Sequence, residues 1–316
     1  MILLERKEPT SIAYYTSLIR RAAPNPDYEE RLRRAQAGYA GELFVDREWL
    51  EAVIPCSYFL LHDFEFRNSA GFSHQVDTLF LSPHFALVVE IKNINGQLRW
   101  DATTHQFTRT TKDGVIDGFR NPIHQAERHV RHLQKLFEKI RLPLPIEYVV
   151  VLAHPNSIIA HNTTLPIIHT SGIHHYVADL LSKYPAIIEF PDLKRAAMKM
   201  KKIHAPSPMT ITLNPDQLQK GVLCPKCPHP MRMNYHHRKW QCPRCHEINN
   251  EAFYAALQDY RILVNETISN KEFRDFFKIE SANVAYTLLQ KLNLQQIGTF
   301  KDKRYIIPSS LYGYSL

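Results

Sequence analysis

The stretch HQVDTLFLSPHFALVVEIKNIN, residues 74–95, decides the fold of the first part of the chain. Two apolar runs flank a short Ser-Pro-His break, a pattern that predicts a β-hairpin within a buried sheet. Three ionisable residues interrupt the apolar pattern: Asp77, Glu90 and Lys92. With the turn centred on the break, Asp77 lies directly opposite Glu90, and their Cβ atoms are about 4.5–5.5 Å apart. Glu90 and Lys92 are two residues apart on one strand, so both point to the same face.

Two carboxylates at this separation repel each other, and the repulsion raises the pKa of one of them unless a cation is close by. A divalent cation removes the conflict, because Mg²⁺ binds few protein carboxylates and leaves its other positions to water and phosphate. Lys92 could then stabilise a developing anion or orient an attacking water. The alternative at this point is that the three residues form an ordinary salt bridge at a solvated strand end.

The surrounding sequence predicts an α/β domain. Asn121 and Pro122 form a helix start, in which Asn caps the helix and Pro occupies its first position. The continuous apolar run at 148–152 is typical of a strand that is covered on both faces. Strands and helices alternate in this way up to a basic run and a Pro/Ser-rich break at 205–208.

The order and spacing of these residues resemble the D…(D/E)xK signature of the restriction-endonuclease-like, or PD-(D/E)XK, superfamily. The similarity is greater to one branch of it, the nuclease-related domain (NERD), and covers roughly residues 36–155. The matching positions are Gly41-Glu42, Gln75-Val76-Asp77, Val89-Glu90-Ile91-Lys92, Asn121-Pro122 and Gln125.

This resemblance implies a restriction-endonuclease-like mixed sheet flanked by helices and a DNA endonuclease that depends on Mg²⁺ or Mn²⁺. It implies that Asp77, Glu90 and the carbonyl of Ile91 bind the metal, and that Lys92 acts on the attacking water or the transition state. Glu42 would be a ligand at the metal's edge or support one. Gln125 would lie near a phosphate at the start of its helix. The resemblance further implies a role in DNA processing or in defence against foreign DNA, and a homodimer.

The sequence departs from the family pattern at two positions. Val76 stands where the superfamily name has proline, and His129 stands where related nucleases often have tyrosine. Neither change removes a metal ligand, but the second makes the role of the region around Gln125 less certain.

Four of the five cysteines form two pairs, Cys224-x2-Cys227 and Cys242-x2-Cys245, separated by fourteen residues. Two such pairs supply the four tetrahedral ligands of a structural Zn²⁺, so the sequence predicts a zinc ribbon. A redox role for the pairs is the weaker alternative. Basic and aromatic residues near the second pair fit a nucleic-acid surface, although zinc ribbons also dock proteins. The residues predicted to contact nucleic acid here are Arg238, Lys239, Trp240 and Arg244.

The last segment predicts three helices followed by two short strands, an order that resembles a winged helix-turn-helix domain. In such a domain the third helix enters the major groove and the wing contacts the DNA backbone. The alternative is a small helical dimerisation or docking module. The residues predicted to contact DNA are Asn283, Tyr286, Thr287, Lys291, Lys301 and Lys303.

Composition agrees with a nucleic-acid partner, since the formal net charge is +8. The charged amino-terminal residues do not fit a signal peptide, and no apolar run approaches a membrane span, so we expect no membrane partner. Paired cysteines of metal-site spacing predict a reducing, cytoplasmic location. The predicted organisation is a helical extension at 1–35, the nuclease domain at 36–204, a linker at 205–220, the zinc ribbon at 221–249 and the winged-helix-like domain at 250–316.

These predictions leave two functions of different class. In the first, a metal-dependent nuclease is delivered to DNA by the zinc ribbon and the winged helix. In the second, the nuclease fold is catalytically inactive and the protein is a DNA-binding regulator or scaffold. RNA as the substrate is a third possibility, because metal-assisted phosphodiester hydrolysis does not by itself distinguish the two sugars.

Overall fold

The computed structural model describes residues 1–101, 103–160, 165–207 and 215–309. Within this part of the chain the α-helices are α1 (Thr10–Arg21), α2 (Pro26–Glu51), α3 (Pro122–Ile140), α4 (Ile173–Lys183), α5 (Phe190–Ile203), α6 (Glu251–Leu263), α7 (Asn270–Phe277) and α8 (Ala282–Lys291). The strands are β1 (Ile2–Leu4), β2 (Phe59–Arg67), β3 (Ser73–Leu81), β4 (Ala86–Lys92), β5 (Gly96–Trp100), β6 (Phe107–Thr110), β7 (Ile116–Phe119), β8 (Ile146–Leu152), β9 (Ser157–Ile159), β10 (Ile167–His169), β11 (Asn234–His236), β12 (Lys239–Gln241), β13 (Thr267–Ile268), β14 (Gln296–Ile297) and β15 (Arg304–Ile306). None of the described helices is both long and apolar enough to span a bilayer.

The chain divides into two compact units. Unit 1 comprises Met1–Glu8 and Gln36–Pro208, and unit 2 comprises Pro9–Ala35 and Met209–Leu316. The structure therefore splits the predicted helical extension at 1–35 between the two units. The reason is that β1 pairs with β2 in the sheet of unit 1, whereas α1 packs against α6 in unit 2.

Unit 1 is built on a six-stranded mixed sheet in the order β1-β2-β3-β4-β8-β10. The predicted hairpin is present, and its register pairs Thr78 with Val89 and Leu81 with Ala86. Strand β4 is parallel to β8, so it lies inside the sheet and is buried on both faces. A mixed sheet with helices on its faces confirms the predicted fold class.

Alternating residues of the central strands supply two hydrophobic cores. Val88 packs with residues of α3 and α5, whereas Val89 packs with residues of α2 and α4. This separation follows from the period of two in a strand, which sends neighbouring side chains to opposite faces. A second sheet, in the order β7-β6-β5-β9, follows β4 along the chain.

Helix α3 begins as the sequence predicts. The side chain of Asn121 accepts a hydrogen bond from the backbone N–H of Ile123 at 2.9 Å, and Pro122 occupies the first position. This cap satisfies one of the N–H groups that have no partner within the helix. The start of α3, including Gln125, is thereby fixed next to the end of β4.

Unit 2 joins the predicted zinc ribbon and the predicted C-terminal domain through one hydrophobic core. In this core Trp240 of β12 stacks on Phe253 of α6, and Phe253 meets Phe273 of α7 edge-on. The three helices α6, α7 and α8 are accompanied by a small sheet in the order β13-β15-β14. Helix α1 is held here by the buried ion pair between Arg21 and Asp259, at 2.7 Å.

Gly41 allows α2 to approach the end of β4 closely. A Cβ atom at position 41 would lie 2.6 Å from the Cβ atom of Asn93, which directly follows β4. The side-chain amide of Asn93 also donates a hydrogen bond to the carbonyl of Ala37, at 2.6 Å. The close approach brings Glu42, the next residue of α2, to the edge of the sheet.

We expect Gly41→Ala to destabilise unit 1 by about 1–3 kcal/mol, because the new methyl group overlaps Asn93. Gly38→Ala on the same helix is the matched control, since a Cβ atom there meets nothing within 4 Å. Removing a helical glycine should stabilise that control by roughly 0.5–1 kcal/mol. Urea unfolding followed by circular dichroism measures the free energy of unfolding of both variants. The same change in this free energy at both positions would contradict the overlap with Asn93.

Candidate active site and zinc centre

The middle of β3, the end of β4 and the start of α3 bring four of the predicted catalytic residues together. Asp77 accepts a hydrogen bond through Oδ2 from the backbone N–H of Ile91, at 2.7 Å. Lys92 Nζ lies 2.6 Å from Glu90 Oε1 and 3.4 Å from the side-chain oxygen of Gln125. The acid pair, the lysine and the glutamine thus form one cluster, which we call the acidic site.

Burial gives this cluster its electrostatic character. Glu90 is 0% exposed, and burial together with the nearby charge of Asp77 raises its pKa to about 8. Burial also raises the pKa of Asp77. For Lys92 burial acts in the lowering direction, but the charges of Glu90 and Asp77 outweigh it and the pKa is raised. Because two buried acids share one lysine, the cluster favours the addition of another cation.

One oxygen of Glu90 is available for such a cation. Oε1 accepts from Lys92, whereas Oε2 is buried and has no hydrogen-bond partner among the described residues. Three carboxylates at metal-ligand spacing are not found here: in the described part of the chain only the cysteines place three or more ligand atoms within 4.8 Å of one another. A metal that takes one or two carboxylates and otherwise binds water and phosphate, such as Mg²⁺, fits this donor set.

Glu42 reaches the acidic site from α2. Burial first, and then the charge of Asp77, raises the pKa of Glu42 to about 7. Its carboxylate is held by Arg6, whose Nη1 lies 3.1 Å from Oε2 of Glu42. Glu42 is therefore placed beside the acidic site, as the sequence predicts, but with a guanidinium as its direct partner.

Arg6 is a residue that the sequence analysis missed. Its side chain is 2% exposed and forms ion pairs with Asp46 at 2.6 Å and with Asp63 at 2.9 Å, in addition to Glu42. It also donates to the backbone carbonyl of Asp77, at 3.0 Å. The charges of these acids outweigh the effect of burial, so the pKa of Arg6 is raised. A short apolar run before a lone arginine was the only signal, and a strand of three residues is too short to show periodicity.

We expect Arg6→Met to destabilise unit 1 by about 2–4 kcal/mol, because it leaves three half-buried carboxylates without their counter-charge. Arg34→Met is the control, since the Arg34 side chain is 77% exposed and pairs only with Glu30. An exposed pair of this kind contributes little, so the control should keep the urea midpoint of the wild type. If both variants unfold at the wild-type midpoint, Arg6 does not hold the acids together.

His129 of α3 lies next to the buried carboxylate of Glu90. Its Nε2 lies 3.7 Å from Oε2 of Glu90, a separation that is too long for a hydrogen bond. Burial and the charge of Arg128 lower the pKa of His129 to about 4, so the ring is neutral near pH 7. The family position that often holds tyrosine is thus occupied by a buried, uncharged imidazole.

The four paired cysteines of unit 2 converge as the sequence predicts. Sγ of Cys224 lies 3.5 Å from Sγ of Cys245, and Sγ of Cys227 lies 3.7 Å from Sγ of Cys242. Four thiolates at Zn–S distances of 2.3 Å in a tetrahedron are about 3.8 Å apart, so these separations fit Zn²⁺. Burial acts to raise the pKa of Cys242, but the N–H groups of Cys245 and Arg244 outweigh it and lower the value to about 7.

We expect the full chain to bind about one equivalent of zinc, and Cys242→Ser to lose most of it, because a closed site needs all four thiolates. Loss of the metal should unfold unit 2, whose core includes Cys242 and Trp240. Inductively coupled plasma mass spectrometry measures the zinc, and near-ultraviolet circular dichroism follows the core. Cys56→Ser is the matched control, since this cysteine lies in unit 1.

The structure corrects one residue of the predicted nucleic-acid surface. Trp240 is 1% exposed, because the β11–β12 hairpin turns its ring onto Phe253. It is a core residue and cannot stack on a base in this structure. The other three residues, Arg238, Lys239 and Arg244, are exposed near the four-cysteine cluster.

Helix α8 exposes the polar residues that the sequence predicts to contact DNA. Those residues are Asn283, Tyr286, Thr287 and Lys291. Lys303 is half-buried, with its ammonium group 5.4 Å from the ring centre of Tyr305. The side chain of Lys301 lies outside the described part of the structure.

Unit 1 is a mixed α/β domain, and its fold is consistent with a nuclease. Residues 37–153 match the family model of the nuclease-related domain, so this part of the chain is a nuclease-related domain. A similar curated protein is an uncharacterized protein of Bacillus anthracis, 31% identical over 105 residues. The similarity covers 32% of this chain and 47% of that protein, so the chain spans about half the length of this relative. No solved structure matches the chain.

Proposed function

We propose that the protein is a metal-dependent nuclease that hydrolyses phosphodiester bonds in DNA. The observation that carries the proposal is the fully buried Glu90, which is paired with Lys92 and lies opposite Asp77 within a nuclease-related domain. A buried acid pair costs free energy unless cations compensate it, so its presence in the core of a hydrophobic hairpin requires a reason other than stability.

In this proposal Asp77, Glu90 and the carbonyl of Ile91 hold Mg²⁺ or Mn²⁺, with Glu42 at the edge of the site. When bound, the metal supplies a Lewis acid and lowers the pKa of its water. Glu90 accepts a hydrogen bond from Lys92 through Oε1 and so holds the ammonium group at the position of the reacting phosphate. Lys92 stabilises the negative charge that develops on the phosphate oxygens. Gln125 positions Lys92, and the N-terminus of α3 attracts the phosphate.

The remaining parts of the chain deliver this site to its substrate. We assign DNA binding to α8 and its wing, as in a winged helix, and to the exposed basic residues around the zinc centre. Cleavage of both strands would require two acidic sites, which a homodimer provides. Cysteines that hold zinc as thiolates, and are not joined in disulfides, suit a reducing compartment such as the cytoplasm. DNA processing or defence against foreign DNA is the role that the family resemblance implies.

Cleavage assays test the catalytic assignment. We expect Lys92→Ala to lower kcat about 10²–10³-fold on DNA, because it removes a preorganised charge from the transition state. Asp77→Asn and Glu90→Gln should abolish metal-dependent cleavage, and a chelator should do the same for the wild type. Lys199→Ala is the control, since Lys199 is exposed on α5.

Undiminished cleavage by the Asp77, Glu90 and Lys92 variants would contradict this site. Binding of DNA without any cleavage by the wild type would instead favour the inactive regulator. If the wild type cleaved RNA and not DNA, the substrate of the proposed nuclease would be RNA.

Salt-dependent binding tests the DNA-binding surfaces. In the full chain carrying Lys92→Ala, we expect Lys239→Ala and Lys291→Ala each to reduce the slope of log K against log salt by about 0.9 per lost phosphate contact. Fluorescence anisotropy with a labelled duplex measures the slope. The Lys199→Ala substitution should leave it unchanged, and an equal slope in all three variants would remove these lysines from the interface.

A further inference from the structure

Three aromatic side chains of unit 1 form a cluster that neither the fold nor the catalytic assignment requires. Trp100 ends β5, His105 lies in the loop before β6, and His124 lies in the first turn of α3. The ring centres of His105 and His124 are 5.1 Å apart. Trp100 lies 5.8 Å from His105 and meets His124 edge-on at 5.5 Å. We call these three residues the aromatic cluster.

The aromatic cluster lies next to the acidic site. His124 directly precedes Gln125, whose side-chain oxygen is 3.4 Å from Nζ of Lys92. His124 and Gln125 both lie in the first turn of α3, so the aromatic cluster and Lys92 contact consecutive residues of the same helical turn.

The loop that carries His105 is ordered in an unfavourable backbone conformation. His105 is exposed and has a φ of 58°, in the left-handed region. The carboxylate of Asp101 accepts hydrogen bonds from the backbone N–H groups of Thr103 and Thr104, at 2.9 and 2.8 Å. A further bond joins the N–H of Asp101 to the carbonyl of Gln106, at 3.0 Å. Backbone strain that the surroundings maintain is concentrated at functional sites.

The aromatic cluster is anchored to the core on one side. Trp100 is half-buried and packs on the core of Leu98 and Phe107. Arg120, which directly precedes the cap of α3, is exposed and forms no ion pair with any described residue. Arg99 alternates with Trp100 along β5 and points to the other face of the strand, where it interacts with the charge of Asp101. Aromatic rings on which bases can stack, together with basic side chains, are the combination that binds single-stranded nucleic acid.

We propose that the aromatic cluster stacks on an unpaired base beside the scissile phosphate, so that the acidic site acts on single-stranded or locally unpaired DNA. This inference rests on the proposed nuclease function and names its substrate class. In a duplex the faces of each base are covered by its neighbours, so only an unpaired, frayed or extruded base can stack on side chains. Stacking of this kind tolerates any sequence, because every base has a π-face.

Cleavage kinetics on matched single-stranded and fully paired oligonucleotides test the substrate class. We expect the wild type to prefer the single strand. His124→Ala, and His105→Asn, which keeps a residue that tolerates the left-handed conformation, should raise KM on the single strand about tenfold with kcat nearly unchanged. His124→Phe should restore KM, because it restores a ring. His175→Ala, at an exposed position of α4, is the matched control.

Tryptophan emission gives a readout that does not depend on cleavage. Trp49 and Trp240 are 3% and 1% exposed, so Trp100 is the tryptophan that a bound base can reach. Titration of the Lys92→Ala chain with oligothymidylate should quench this emission, and Trp100→Phe should remove the quenching. Binding seen by anisotropy without quenching overturns the inference.

The two hypotheses fail in different ways. A wild type that cleaves the paired duplex faster than the single strand, or ring variants with wild-type KM, refutes base stacking and leaves the nuclease assignment standing. A wild type that cleaves no nucleic acid refutes the nuclease function, and the emission titration still decides whether the aromatic cluster binds an unpaired base.

Discussion

The burial of Glu90 beside Asp77 is the constraint on which the rest of unit 1 depends. Both acids interrupt strands that are otherwise apolar, and Glu90 has no exposed surface. A carboxylate in such a place is tolerated only with a cation at hydrogen-bond distance, and Lys92 at 2.6 Å is that cation. One lysine does not neutralise two acids. Negative charge on Glu90 and Asp77 is therefore incompletely compensated by the protein, and the pKa values of both acids are raised.

A second cation, Arg6, compensates a further group of acids in unit 1. Arg6 binds Glu42, Asp46 and Asp63 together, and it thereby joins the first residues of the chain to α2 and β2. Lys92 therefore compensates Glu90 and Asp77, whereas Arg6 compensates Glu42 at the edge of the acidic site together with two acids outside it. Because Arg6 lies shortly after β1 and pairs with these acids of unit 1, β1 belongs to unit 1, although α1 belongs to unit 2.

The sequence predicts those features that local patterns encode. The hairpin register, the Asn121 cap and the four-cysteine cluster all follow from spacing within a short stretch, and each is present. Arg6 could not be found in this way, because the acids with which it forms ion pairs are 36 to 57 residues away along the chain. The interpretation of Trp240 was wrong for a related reason: a three-residue strand does not reveal which face meets a distant helix. Only the three-dimensional structure brings His105 and His124 to one place.

The central claim is that Asp77 and Glu90 together bind a divalent cation. Isothermal titration of the zinc-loaded chain with Mn²⁺ at pH 7, in two buffers of different ionisation enthalpy, measures this directly. Because burial and the charge of Asp77 raise the pKa of Glu90, we predict saturable binding in which the cation displaces protons into the buffer, and an affinity that increases with pH. Glu90→Gln should abolish both. Absence of Mn²⁺ binding, or the same binding and proton release by the Glu90→Gln variant, would contradict the account.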